Sequence, residues 1–157
     1  MMGGGQQQQQ QLQQLSQELE EIDQEIEAKE AEIEDFRDEK AGVDDAIEAI
    51  DTLDDGDTVQ LPLGGGAYVR AEVDDMDEII VGLGGGYAAE QESDDAVDAL
   101  ETKQDSLDDR ISGVQGEISE LEEESAQIEQ RAQQMQQQMQ QQQMQQMQDM
   151  QGEGDGE

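Results

Sequence analysis

The chain has no cysteine, no histidine and no tryptophan, and only one proline, one phenylalanine and two tyrosines in 157 residues. Without cysteine there is no disulfide to staple a small fold and no thiolate to serve as nucleophile or soft metal ligand. Without histidine the commonest general acid–base group at neutral pH is missing. Aromatic residues are 2% and apolar residues 32% of the chain, too little for a thick core in which a carboxylate would be desolvated into a catalyst. No catalytic residue, metal or cofactor is therefore expected. Basic residues number seven, whereas gripping a nucleic-acid backbone takes basic clusters, so DNA and RNA are excluded as partners. No apolar run approaches the ~20 residues that cross a bilayer. The start MMGGGQQQQQ offers no hydrophobic signal region, and its first glycine does not follow the initiator methionine directly, as N-myristoylation requires. The expectation is a cytoplasmic protein with no membrane partner.

What the chain does have is acid. Forty-three Asp and Glu give a formal net charge of −36, a load that repels itself at low ionic strength. The Debye length shrinks from roughly 8 Å at physiological strength to about 3 Å at 1 M salt, so this surface suits a saline cytoplasm. The alternative is an acidic protein that tolerates its own repulsion.

Charge alone would allow disorder, but the apolar residues are too regular for that. Leu12, Leu15, Leu19, Ile22, Ile26, Lys29, Ile33, Phe36, Lys40, Val43, Ile47 and Ile50 follow one another in alternating steps of three and four. Val97, Leu100, Gln104, Leu107, Ile111, Val114, Ile118, Leu121, Ser125, Ile128, Ala132, Met135 and Met139 do the same. An unslipped heptad repeat of this length predicts coiled coil, and good helix formers (Glu, Gln, Ala, Lys) fill the other faces. Lys29 and Lys40 are polar seam positions, of the kind that fix register at a cost in stability, and Gln104 and Ser125 are soft spots of the second seam. Gly56 suits the left-handed position past the end of the first helix. Ser93-Asp94-Asp95 opens the second with a capping hydroxyl and acids at its positive end.

Between the helices lies a repeat. Leu63-Gly64-Gly65-Gly66 returns as Leu83-Gly84-Gly85-Gly86, and Tyr68 and Tyr87 follow closely. Short runs with period-two alternation flank each triplet and predict strands at 58–63, 67–73, 79–83 and 87–91, two tandem β-hairpins. Pro62 removes a backbone donor, which marks an edge or a bulge. Isolated hairpins are marginal, so Val59, Leu61, Leu63, Tyr68, Val69, Val73, Ile79, Val81, Leu83 and Tyr87 are candidates for packing against other subunits. The triplets exceed a minimal two-residue turn, and their turn type stays open. They are no phosphate loop, since no lysine follows and no helix begins. Asp51–Asp57 resembles a calcium loop only superficially, because the twelfth place, which should be glutamate, is Pro62.

The seams are of near-equal length, roughly 60 Å each at about 1.5 Å per residue. Matched limbs around a hairpin pair predict a chain that runs out, turns and comes back. The fold class is α+β: a long antiparallel intramolecular coiled coil with two hairpins at the turning end and both termini together at the other. Its segments are a flexible lead-in at 1–11, the first helix at 12–55, the hairpins at 56–92, the second helix at 93–141 and a frayed or disordered Gln/Met-rich and acidic tail at 142–157. Near the termini the charge disappears: nothing charged precedes Glu18, and nothing from Ala132 to Gln148 is charged. Leu12, Leu15, Leu19, Met135, Met139, Met144, Met147 and Met150 lie there. Thioether side chains adapt to irregular partners, which makes these eight residues candidates for a soft, promiscuous binding surface.

The combination resembles a known family. A long helix, hairpins carrying VQLPLGGGAYV (59–69) and IIVGLGGGYAA (79–89), and a returning helix are similar to the alpha subunit of archaeal prefoldin over roughly residues 12–140. The doubled hairpin argues for the alpha type, because the beta type has one. The resemblance implies an α2β4 hexamer with beta-type subunits, its hairpins joined into a β-barrel platform. It also implies ATP-independent capture of unfolded client proteins at the coil tips and their delivery to a group II chaperonin. The tips would include Leu12, Leu15, Met135 and Met139; the extension after Gln140 departs from a compact family tip. A structural spacer docking one defined partner through its hairpins is the alternative.

Overall fold

The computed structural model describes the backbone of residues 3–154 and the side chains of residues 5–152. Helix α1 (Gly3–Thr52) is followed by strands β1 (Thr58–Gly64), β2 (Ala67–Glu72), β3 (Ile79–Gly84) and β4 (Tyr87–Gln91), and then by helix α2 (Ser93–Gly154). Both helices extend beyond their seams: α1 takes in residues 3–11 and α2 takes in residues 142–154, where a flexible lead-in and a frayed tail were expected. Glutamine and methionine are good helix formers, and no proline interrupts either stretch. The expectations for residues 1–2 and 155–157 lie outside the described residues.

The chain divides into two compact units: residues up to Glu32 with those from Val114 onward, and Ile33–Gly113. In the first, the two helices bury Leu15, Ile22 and Ile128, against which Leu19, Ile26, Leu121, Ala132 and Met135 pack. Lys29 sits on this seam and its Nζ reaches Glu117 Oε2 on the other helix at 2.8 Å. The two lie 88 positions apart in the sequence, so the helices zip within one molecule.

In the second unit Ile33, Val43 and Leu107 are buried on the seam. Arg110 lies over the Phe36 ring at 5.9 Å, Lys40 pairs with Asp108 at 2.7 Å, and Gln104 donates to Asp44. Partner numbers fall as those on α1 rise, the mark of an antiparallel pair. The polar seam residues Lys29, Lys40 and Gln104 thus each find an acidic partner across the interface.

Helix α1 stops at Thr52, short of the predicted boundary, where the Thr52 hydroxyl turns back to the Glu48 carbonyl at 2.9 Å. Gly56 does not follow the helix end directly. It occupies the third place of a turn closed by Asp57 N–H to Asp54 O, has φ 83°, and donates its own N–H to Val73 O.

Both hairpins are antiparallel, and no strand of one pairs with a strand of the other. In the first, Pro62 faces Tyr68 and Gly64 faces Ala67, so Leu63 is an extra residue and only Gly65-Gly66 make the turn. The second repeats this with Gly82–Ala88, Gly84–Tyr87 and an extra Leu83. The turn glycines have φ 61° and 83° in one hairpin and 62° and 82° in the other, the two consecutive positive values of a type I′ turn. The first glycine of each triplet, Gly64 or Gly84, has φ 98° or 90° at the bulge. A triplet is therefore a minimal turn plus a glycine bulge.

Candidate binding surfaces

The hairpin surface follows from this register. Alternation puts Val59, Leu61, Val69, Ala71 and Val73 on one face of the first hairpin. Val59, Ala71 and Val73 are partly covered, whereas Leu61 and Val69, nearer the turn, are exposed. The bulge leaves Leu63 exposed, and Tyr68 is exposed as well. In the second hairpin Val81 is buried and Ile79 half-buried, while Leu83 and Tyr87 are open. The ten candidates thus fall into two groups, four that pack within the chain and six that face outward. Ile80 was missed. It points away from Ile79 and Val81 and is 68% exposed; an apolar residue on the nominally polar face of a strand was the available signal. Each hairpin also presents two unpaired strand edges, so backbone donors and acceptors lie open beside apolar side chains, a template for further strand pairing.

The turn regions between helices and hairpins use their acids structurally. Asp55 Oδ1 accepts from Met76 N–H at 2.7 Å, Asp57 Oδ2 from Asp54 N–H at 2.8 Å, and Asp75 Oδ1 from Asp77 N–H at 2.9 Å. Ser93, expected to cap α2, donates instead to the Met76 carbonyl at 2.6 Å. An open hollow of about 390 Å³ lies here between Ile50, Leu53, Met76 and Val97 with several aspartates on its rim. Among the described residues no three acidic side chains are grouped to hold a metal ion, and no helix is long and apolar enough to cross a membrane.

The terminal helical stretches separate the eight soft-surface candidates. Leu15 is buried and Leu12, Leu19, Met135 and Met139 are half-buried along the seam. Met144, Met147 and Met150 are 70%, 72% and 79% exposed. Helix length explains the division. Counting from the Lys29–Glu117 pair, α1 reaches back 26 residues to Gly3, while α2 runs on for 37 to Gly154. The last stretch of α2, about 16 Å at 1.5 Å per residue, has no described residue of α1 opposite it. The three outer methionines are therefore presented beyond the described reach of α1, Met144 and Met147 within the uncharged run 132–148 and Met150 just after Asp149.

Two lysines are held charged by their setting. The hydrogen bond that Lys29 donates to Glu117 raises it above its ordinary 10.5, with Glu25 and Glu32 adding to it. Asp108 does the same for Lys40.

The chain is similar to known proteins. Residues 6–145 match the Prefoldin family, described as Prefoldin subunit. The Prefoldin subunit alpha of Halorubrum lacusprofundi is 69% identical over 115 residues, 73% of this chain and 74% of that protein. The corresponding subunit of Haloquadratum walsbyi is 63% identical over 108 residues, 69% of each chain. A cryo-EM structure of filamentous PFD from Methanocaldococcus jannaschii matches 71% of this chain and 89% of its own at 27% identity, with a TM-score of 0.48. Two long helices joined by a doubled hairpin, a family match across most of the length and haloarchaeal relatives of this identity lead to one assignment: the chain belongs to the prefoldin family of chaperone subunits, which assemble into hetero-oligomers.

Proposed function

We propose that this chain is the alpha-type arm of an α2β4 complex that captures non-native proteins in the cytoplasm without ATP and passes them to a group II chaperonin. The hairpins join it to beta-type subunits, with Leu61, Leu63, Tyr68, Val69, Leu83 and Tyr87 as the outward contacts and Ile80 added to them. The soft surface near the helix termini holds clients, and no catalytic step is assigned. The observation that carries the proposal is the outer end of α2, where Met144 and Met147 stand exposed in the uncharged run 132–148 and Met150 follows just past Asp149, in a chain of net charge −36. A single such patch binds weakly. Several of them in one complex raise the effective concentration, and avidity then exceeds one contact by about 10²–10⁴.

The test is aggregation of a chemically unfolded protein diluted into molar salt without nucleotide, with and without the complex formed from this chain and its beta-type partner. Suppression by the complete complex, weakened when residues 141–157 are deleted, is the expected result. Suppression untouched by that deletion would remove the outer methionines from the binding surface. No suppression at all would overturn the function.

A further inference from the structure

The chain's sulfur chemistry is confined to methionine, and among the described residues its accessible sulfurs are gathered in one place. Met144, Met147 and Met150 are 70–79% exposed, whereas Met76, Met135 and Met139 are half-buried. The three exposed residues lie on the part of α2 with no described α1 residue opposite, so no seam contact among the described residues depends on them.

We infer that Met144, Met147 and Met150 form an oxidation-sensitive switch on client holding. The inference rests on the proposal that this stretch binds clients. A thioether lone pair attacks one oxygen of hydrogen peroxide, the O–O bond breaks, the sulfur is oxidised to the sulfoxide, and the other oxygen leaves as water. The product is polar. Three such conversions replace an apolar, adaptable stripe with three strong acceptors that an apolar client segment would have to desolvate. Met135, covered by the seam cluster, is shielded, so the helical pair stays folded while its holding surface is lost. Methionine sulfoxide reductases of the two stereospecific types reverse the change.

The experiment treats the complex, assembled with its beta-type partner, with graded hydrogen peroxide, quenches it, and adds fresh unfolded client. Peptide mass spectrometry is expected to find sulfoxide at 144, 147 and 150 before 135, 139 and 76. Client capture should weaken about tenfold with helical circular dichroism unchanged, and recover after reductase treatment. The variant Met144→Leu/Met147→Leu/Met150→Leu should make capture insensitive to peroxide, whatever its starting level. Oxidation without preference for the three sites, unchanged capture by the oxidised complex, or equal peroxide sensitivity in the triple variant would each overturn the switch. If the untreated complex holds no client, the functional proposal has failed, while the order of oxidation remains readable by mass.

Discussion

Lys29 Nζ stands 2.8 Å from Glu117 Oε2, a cation on a mainly apolar seam and bonded to the opposite helix. Glu25 and Glu32 lie on its own helix and add to the field that holds it protonated. Lys29→Met would improve the apolar seam and at the same time remove a cation from a crowd of acids. The two effects respond oppositely to salt, because screening over about 3 Å at 1 M silences the second but not the first. The variant is expected to melt a few degrees below the parent in 0.1 M salt and level with or above it in molar salt. Thermal circular dichroism at the two salt concentrations checks the crossing.

The same lysine sets a pH limit. Its folded value lies above 10.5 because the charged form is the one hydrogen-bonded to Glu117, and Lys40 is raised likewise by Asp108. A raised cation contributes stability that is complete below its unfolded value and disappears as pH climbs through the folded one. These pairs should therefore contribute evenly across neutral pH, and coil stability should fall only above pH 10.5. A Lys29→Arg/Lys40→Arg variant, whose guanidinium does not titrate in this range, should lose that alkaline step in a pH series of melting curves.

Gly66 tests the turn. Its φ is 83°, and nothing lies within 4 Å of where a Cβ would stand. Any penalty on substitution is thus backbone strain and not a clash. Gly66→Ala should cost about 1–2 kcal/mol, and Gly66→Asn distinctly less, since asparagine tolerates the left-handed region. Denaturant titration of the assembled complex would separate the two; equal costs would argue against the type I′ geometry.

Leucine and methionine near the termini should behave differently. Leu15→Ala opens a hole in the buried cluster and is expected to cost about 2 kcal/mol, at the low end for a buried leucine because a two-helix seam is thin. Met144→Gln/Met147→Gln/Met150→Gln should leave the melting curve in place and weaken client capture. Parallel measurement of melting and aggregation suppression distinguishes them.

On the hairpins, Ile80→Ser/Leu83→Ser alters two exposed side chains, 68% and 59% accessible. The helical spectrum should not change. Light scattering with the beta-type partner in molar salt is expected to show a smaller particle than the parent gives.

Some of this was legible from sequence and some was not, for physical reasons. Every residue of both heptad rows is buried or half-buried in the structure, because alternating steps of three and four are the direct imprint of one helix winding on another. Strand positions were nearly as plain, since alternation and glycine punctuate them. The turn type was hidden because a bulge is a matter of pairing: nothing in Leu63-Gly64-Gly65-Gly66 says that Leu63 is passed over by β2. Nor does the spelling of a methionine reveal whether the other helix still runs beside it. Met135 and Met147 look alike in the sequence, yet one packs on the cluster and the other stands in solvent. That difference belongs to the relative reach of two helices.

One residue carries more than its size suggests. The N–H of Met76 is held by Asp55 and its carbonyl by Ser93, so the link between two hairpins that share no ladder is riveted on both sides, once to the exit of α1 and once to the entry of α2. No shared ladder joins the hairpins, so these two hydrogen bonds help to set the splay between them. Changing Asp55 or Ser93 would loosen that angle without touching a strand, giving lineages and engineers alike a way to retune how subunits fit together while leaving every interface side chain as it is.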